Sequence, residues 1–484
     1  MSPHITDAPP AFEDMENFQE KVVVGDDTSL ADDEKNYDTP TYRQDAFGDE
    51  TDAEVKYKVL KWWQCGLLMV AETVSLGVLS LPAAVAVLGL VPSLIVLVCL
   101  GIVATYTGYV IGQFKWRYPH VTNMADAGEV LMGRVGREIM GTGQILFLIF
   151  VMASHLLTFT IAMNKITDHG TCSIVFGVVG MVASFILSLP RTLAKMSWLS
   201  IVSFTSIMSA VFICMIGVGI QHPGKKVMAT VDTDLVHGFA AVTNIVFAFS
   251  GHAAFFGIMA ELKDPRDYPK ALGLLQAVDI SLYTIAATVI YVYGGADVSS
   301  PALGSASPIV SKVAYGMALP TIIIAGVING HIAFKYVYVR IFAGTDRMHK
   351  RDWVAVSSWV AIALSLWIIA WVIAEAIPVF SNLLSLIVSH TTPLPLLLQP
   401  PPTNILLPKT ALFASWFTYG LSGIFWLYLN RGRYFSSPRK ILLTLVNLFC
   451  IAICLILCGL GLYVSGKQIH DDPSSTSFSC ANNA

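Results

Sequence analysis

Charge is what this sequence has least of. Only 13% of its 484 residues are Asp, Glu, Lys or Arg, whereas a soluble domain carries about a quarter. With 55% hydrophobic residues and a mean hydropathy of +0.64, most helix surface has no water to face, which argues against a soluble domain. The net charge is −3 with no basic face, so no nucleic-acid partner is expected. Eight cysteines show no paired metal spacing, and no metal or other cofactor is expected. A GxxxxGK(S/T) run is missing, so nothing points to nucleotide-driven work. No His/Glu cluster or nucleophile–base set recurs near one end of the spans, so an enzyme is not expected. Period-two alternation is also missing, which argues against an outer-membrane barrel.

What is present is a series of long apolar runs. Residues 1–54 are polar and acidic (Asp26, Asp27, Asp32, Asp33, Glu34) and read as a disordered cytosolic tail without a cleavable signal peptide. From 55 to 466 the chain resolves into about 11 spans, each long enough to cross a bilayer. They are expected at 62–88, 91–114, 141–163, 173–189, 197–220, 235–260, 270–294, 315–339, 353–375, a divided tenth at 377–388 and 411–429, and 440–464. A short extracellular tail, 467–484, follows. The expected class is an all-α polytopic membrane protein with the lipid bilayer as its solvent.

Basic residues orient it. Lys56, Lys58, Lys61, Lys115, Arg117, Arg191, Lys195, Lys263, Arg266, Arg340, Arg347, Arg431 and Arg433 fall on one side. The other side holds Lys165, Lys225, Lys226, Lys312, Lys409 and Lys467. The positive-inside pattern then puts the N-terminus in the cytosol and the C-terminus outside, as an odd span count requires. Cys172 and Cys480 both fall on the outer side, where a disulfide is permitted. Cys450, Cys454 and Cys458 share a helix face and read as small packing residues rather than a metal or palmitoyl site.

One segment does not fit. Residues 388–410 carry six prolines and interrupt the tenth span; proline removes a donor and blocks helix, and exposed irregular backbone is costly in lipid. Without the segment, LLSLI joins ALFASWFTYGLSGIFWLYL as one span. It reads as a translated, unspliced intron, its opening Val388-Ser389 compatible with a splice-donor codon pair. The alternative is an extended outer loop between two half-helices.

Two spans look broken in corresponding positions, Ala71–Pro82 in the first and Phe247–Gly257 in the sixth. Each heads a group of five spans entering from opposite sides, as a 5+5 inverted repeat plus an eleventh helix requires. A half-helix N-terminus attracts a carboxylate, and unwound carbonyls attract an ammonium or a coupling cation. Small residues alone more often serve close packing, and that alternative stands for each break taken separately.

The run Phe247-Ala-Phe-Ser-Gly-His252 with Glu261-Leu-Lys-Asp-Pro265 resembles the sixth-helix signature of the amino acid/auxin permease family. Ser75-Leu-Gly-Val-Leu-Ser-Leu-Pro82 is similar to that family's first-helix motif, with Ser75 where glycine is common. Glu72 and Leu412-Phe-Ala-Ser-Trp-Phe-Thr-Tyr419 resemble the fungal neutral amino-acid permeases. The resemblance implies a leucine-transporter-type fold and secondary, proton-coupled uptake of neutral aliphatic or aromatic amino acids, at the plasma membrane. A sensor of the same fold and a vacuolar transporter are the alternatives; the short, featureless tail gives a sensor little to signal through.

The expected substrate-binding residues are Thr73, Ser75, Leu76, Gly77, Phe247, Phe249, Ser250 and Gly251, with Glu72 and His252 as proton-coupling groups. Each ionisable residue inside a span is costly and a functional candidate. For Glu72 and His252 the competing reading is a structural hydrogen bond to a neighbouring helix. Asp279 and His155 are weaker candidates, and Asn329 with His331 is a candidate cation-site lining against the first helix. Glu375 reads as interfacial. Glu261 and Asp264, beside Lys263 and Arg266, read either as a solvated loop or as an inner gate. Phe255 and Phe256 join Phe247 and Phe249 as candidate walls of an apolar pocket or as packing. Trp62 and Trp63 read as belt anchors.

Overall fold

A computed structural model describes residues 57–191, 193–221, 227–342, 345, 352–377, 379–380, 383–384, 414–471 and 477–482. The N-terminal tail 1–54 and the proline-rich segment 388–410 lie outside the described residues. The helices are α1 (Trp62–Leu88), α2 (Leu90–Arg117), α3 (Met124–Thr167), α4 (Ser173–Leu187), α5 (Leu193–Gln221), α6 (Leu235–Ala248), α7 (His252–Ala260), α8 (Tyr268–Gly294), α9 (Pro308–Phe342), α10 (Trp353–Ala376), α11 (Leu421–Leu429) and α12 (Pro438–Asp471). A π-helical turn, Trp416–Gly420, leads into α11. Among the described residues, nine helical segments are long and apolar enough to cross a membrane, α6 and α7 together counting as one; α4 is shorter.

The distribution of polarity is that of a protein dissolved in lipid. Ile95, Ile102, Ile216, Leu442 and Phe449 are exposed around the outside, while Thr107, Gln144, Asp279 and Asn329 are fully buried. Apolar tails favour the first set, and the second needs protein partners. Arg191–Tyr338 and Arg340–Glu138 contacts mark one end, and Lys312–Asp168 and the Cys172–Cys480 disulfide mark the other. We call these the basic end and the disulfide end.

Sequence expectations hold closely for α1, α2, α8 and α10, and differ where a loop is helical. The third span begins at Met124, because α3 continues through a bend at Gly133. That residue has φ 65°, a backbone that suits glycine. The two limbs touch so tightly that a Cβ on Gly128 would lie 2.4 Å from the Gly136 carbonyl oxygen. α12 runs to Asp471, beyond the expected tail boundary at 467. The tail then returns: Ser173 donates to the Ala481 carbonyl at 2.6 Å, and the Phe478 N–H donates to that of Glu375 at 3.1 Å.

Of the two expected breaks, only the sixth-span one is present. α1 is a continuous helix from Trp62 to Leu88 with Pro82 inside it. Pro82 removes only one donor, and the Ser80 hydroxyl bonds the Gly77 carbonyl at 2.9 Å. Gly77 serves close approach instead: a Cβ there would lie 2.8 Å from the Tyr283 hydroxyl and 3.0 Å from Ala248 Cα. The packing alternative therefore holds for α1. α1 is the central helix, packed on α8, α6, α5 and α9.

Candidate functional site

The sixth span stops at Ala248 and restarts at His252. Interrupting a buried helix frees carbonyl and N–H groups, each of which needs a partner. Ser250 supplies two bonds at once: its hydroxyl donates to the Val246 carbonyl at 2.8 Å, and its N–H to that of Phe247 at 3.0 Å. The Tyr283 hydroxyl, from α8, lies 3.0 Å from the Ala248 carbonyl oxygen and 3.1 Å from that of Thr73. Gln144, from α3, donates to the Ala253 carbonyl at 2.8 Å and accepts from the Met124 N–H at 3.0 Å. The interruption is thus braced by two other helices, α8 and α3. A polar stripe in α8, Gln276, Asp279 and Tyr283 at i, i+3 and i+7, was the sequence signal that would have found Tyr283.

Gly251 packs directly on α1. A Cβ there would lie 2.6 Å from Glu72 Oε2 and 2.6 Å from Thr73 Cγ2. Glu72 is 8% exposed, and its Oε2 has no hydrogen-bond partner among the described residues. Thr73 donates to the Met69 carbonyl at 3.1 Å and reaches Asp279 Oδ1 at 3.3 Å. Asp279 is fully buried and interacts electrostatically with Glu72. Asn329, from α9, also neighbours Glu72. Glu72, Thr73, Gly77, Phe249, Ser250 and Gly251 are therefore brought together, with Asp279, Tyr283 and Asn329 beside them.

Other candidates lie elsewhere. Ser75 faces α9, 3.5 Å from the Thr321 carbonyl, and Leu76 and Phe247 are core residues. His252 turns to α2: Nε2 lies 3.0 Å from both the Ala104 carbonyl oxygen and the Thr107 hydroxyl, so its N–H is engaged there. The Phe249 ring meets Tyr283 edge-on at 5.3 Å, whereas Phe256 packs on Phe114 and Phe425. Phe255 covers the His252 ring at 4.6 Å. His155 bonds its own helix at Val151, and His331 bonds the Pro190 carbonyl at 3.0 Å, away from α1. Cys454 and Cys458 pack against Gly420 and Ser415, as small residues do. Among the described residues, no group of three His, Cys, Asp or Glu forms a metal centre.

At the basic end Glu261 and Asp264 part company. Asp264 caps its own turn, accepting from the Arg266 N–H at 2.9 Å. Glu261 is fully buried and forms an ion pair with Lys335 of α9. The Lys335 ammonium also lies 4.4 Å from the Tyr57 ring centroid. Leu60 bonds this point through backbone, its N–H to the Glu261 carbonyl at 3.0 Å and its carbonyl to the Lys263 N–H at 2.9 Å. A small, partly open pocket lies between α3, α7 and α9, lined by Gln144, Gly257, Ala260, Ile332, Lys335 and Tyr336 among others.

Comparison with known proteins places this geometry. A family described as transmembrane amino acid transporter protein matches residues 58–419. The chain is 36% identical over 445 residues to the N amino acid transport system protein of Neurospora crassa, covering 89% of this chain and 90% of that one. It is 31% identical to a transmembrane transporter of Fusarium pseudograminearum, covering 69% and 72%. Among solved structures it is similar to MhsT, crystallised in complex with L-phenylalanine, with a TM-score of 0.55 at 13% identity over 85% of this chain and all of that one. That likeness shows the leucine-transporter-type fold. The protein is a multi-pass membrane transporter, not an enzyme, and belongs to the amino acid/auxin permease family.

Proposed function

We propose that the protein takes up neutral amino acids with protons by alternating access, around a site where α1 meets the interruption between α6 and α7. The observation that carries this reading is the Phe249–Gly251 interruption held against Glu72. The start of α7 carries roughly half a positive charge and suits the substrate carboxylate. The α6 end and the Glu72 carboxyl suit the ammonium or the coupling proton. An apolar side chain fits the surroundings, since the rings of Phe249 and Tyr283 meet beside the interruption. The likeness to the Neurospora crassa N amino acid transport system protein supports an amino-acid cargo, and the L-phenylalanine of MhsT supports a neutral one. The cavity between α3, α7 and α9 is read as the inner vestibule. The 5+5 repeat, the cytosolic N-terminus, the plasma-membrane location and the intron origin of 388–410 belong to the same proposal.

The test is uptake of radiolabelled neutral amino acids by cells expressing the chain with and without residues 388–410, at pH 5 and 7, with and without sodium. Acid-stimulated, sodium-independent uptake is expected, and its restriction to the shortened form would support the intron reading. A surface-expressed chain of either form that takes up no neutral amino acid would overturn the substrate class.

A further inference from the structure

Three buried oxygens near one point of the bundle have no hydrogen-bond partner among the described residues: Glu72 Oε2, Asp279 Oδ2 and Asn329 Oδ1. Glu72 is 8% exposed, and Asp279 and Asn329 are fully buried. The carboxyls come from different helices, α1 and α8, and Thr73, the residue after Glu72 in sequence, reaches Asp279 Oδ1 at 3.3 Å. Gly251 closes the Glu72 side, with no room for a side chain.

Two ionised carboxylates here would be two like charges, each costing several kcal/mol to bury. The groups facing them do not supply a cation. α8 contributes Tyr283, whose hydroxyl is bound to the Thr73 and Ala248 carbonyls. α9 contributes the neutral Asn329, and the imidazole of His252 at the start of α7 is directed to α2. The Lys335 ammonium is engaged with Glu261 at the basic end. One proton held between the two carboxyls leaves a single negative charge and gives an oxygen without a partner a donor, as in other carboxyl pairs that titrate as a unit.

We propose that Glu72 and Asp279 form one proton-binding unit, and that this unit holds the proton that is carried with the substrate. The inference rests on the proton-coupled reading above and adds Asp279 to it. No covalent step is involved: the unit takes one proton from the outer aqueous phase and returns one proton to the inner phase. Asp279 acts on substrate through Glu72 and is a positioning and proton-sharing residue.

The first test uses the purified wild-type protein and dicyclohexylcarbodiimide, which reacts with protonated carboxyls in apolar surroundings. Peptide mapping should find one adduct per molecule, on Glu72 or on Asp279 but not both. Two adducts on one molecule, or none at either residue, would overturn the shared proton. The second test compares uptake of radiolabelled L-phenylalanine into proteoliposomes at pH 5 and 7 for the wild type, Glu72→Gln, Asp279→Asn and Asp279→Glu. In both amide variants the residual uptake should lose its acid stimulation, the pH 5 to pH 7 ratio falling to about one, and Asp279→Glu should restore it. A merely structural Asp279 would lower uptake at every pH and leave the ratio unchanged; that result overturns this inference while sparing Glu72. Wild-type uptake that follows sodium and ignores pH overturns the proton-coupled reading itself, and this inference with it.

Discussion

The buried ion pair between Glu261 and Lys335 makes a demanding prediction. Side-chain exposure is 0% for Glu261 and 11% for Lys335, so neither charge has water to fall back on. Removing one partner from such a pair costs about 3–5 kcal/mol, because the other charge stays buried alone. Glu261→Met removes the carboxylate that faces the Lys335 ammonium, whose contact with the Tyr57 ring is worth about 0.5–2 kcal/mol. Lys335→Met removes the ammonium that faces the Glu261 carboxylate. At about 1.4 kcal/mol per decade, each single variant should shift the equilibrium between intact and opened bundle by roughly two to four decades. The double variant, with both charges replaced by apolar groups of similar length, should recover most of that loss, since apolar replacement of a buried pair is often neutral or stabilising. The assay is the temperature at which detergent-solubilised protein stops eluting as a single species. The loss should be little changed by salt, because a buried pair is poorly screened. Single variants that melt with the wild type, or a double variant no better than the worse single, would refute the argument.

Other predictions follow from contacts of different kinds. Gly77→Ala should cost about 1–3 kcal/mol by overpacking and reduce the amount of folded protein, because its Cβ meets Tyr283 and Ala248. Gly273→Ala, with no atom within 4 Å of the new Cβ, should raise the melting temperature slightly, by the usual helical preference for alanine. Peptide mapping without reductant should recover Cys172 and Cys480 as one cross-linked pair. Serine at either position should cost about 2–4 kcal/mol, and serine at both no more than at one. Outside the spans, the hydrogen bond from His237 holds the Asp234 carboxyl below the usual carboxylate range. A carboxyl whose folded value is depressed contributes stability above its unfolded value and loses it as pH falls through the folded one. The melting difference between wild type and Asp234→Asn should therefore shrink below about pH 4; a difference that grows there would contradict the assignment.

Much of the site was legible because it is built from residues that lipid makes conspicuous. Glu72 and Asp279 stand out in apolar spans for the cost of burying charge, and the Ser250-Gly251 pair marks the interruption that is present. The first-span motif misled because glycine and serine serve two purposes, unwinding and close approach, and local sequence does not distinguish them. Gly77 faces Tyr283 and Ala248, residues distant in sequence, so its purpose is set by neighbours. His252 shows the same limit: its position in the motif was visible, but the direction of its ring toward Ala104 and Thr107 was not.

Hydropathy over about 20 residues is a local property that the bilayer reads directly, so the all-α membrane class and the limits of α1, α2, α8 and α10 could be read from the chain alone. The sequence marked the first and sixth spans alike as broken, and only the sixth is interrupted. Which side chains meet was decided by the tertiary structure: Thr73 with Asp279, Glu261 with Lys335, Cys172 with Cys480. These pairs are separated by 206, 74 and 308 residues. Their chemistry depends on distance in space, which no periodicity along the chain encodes.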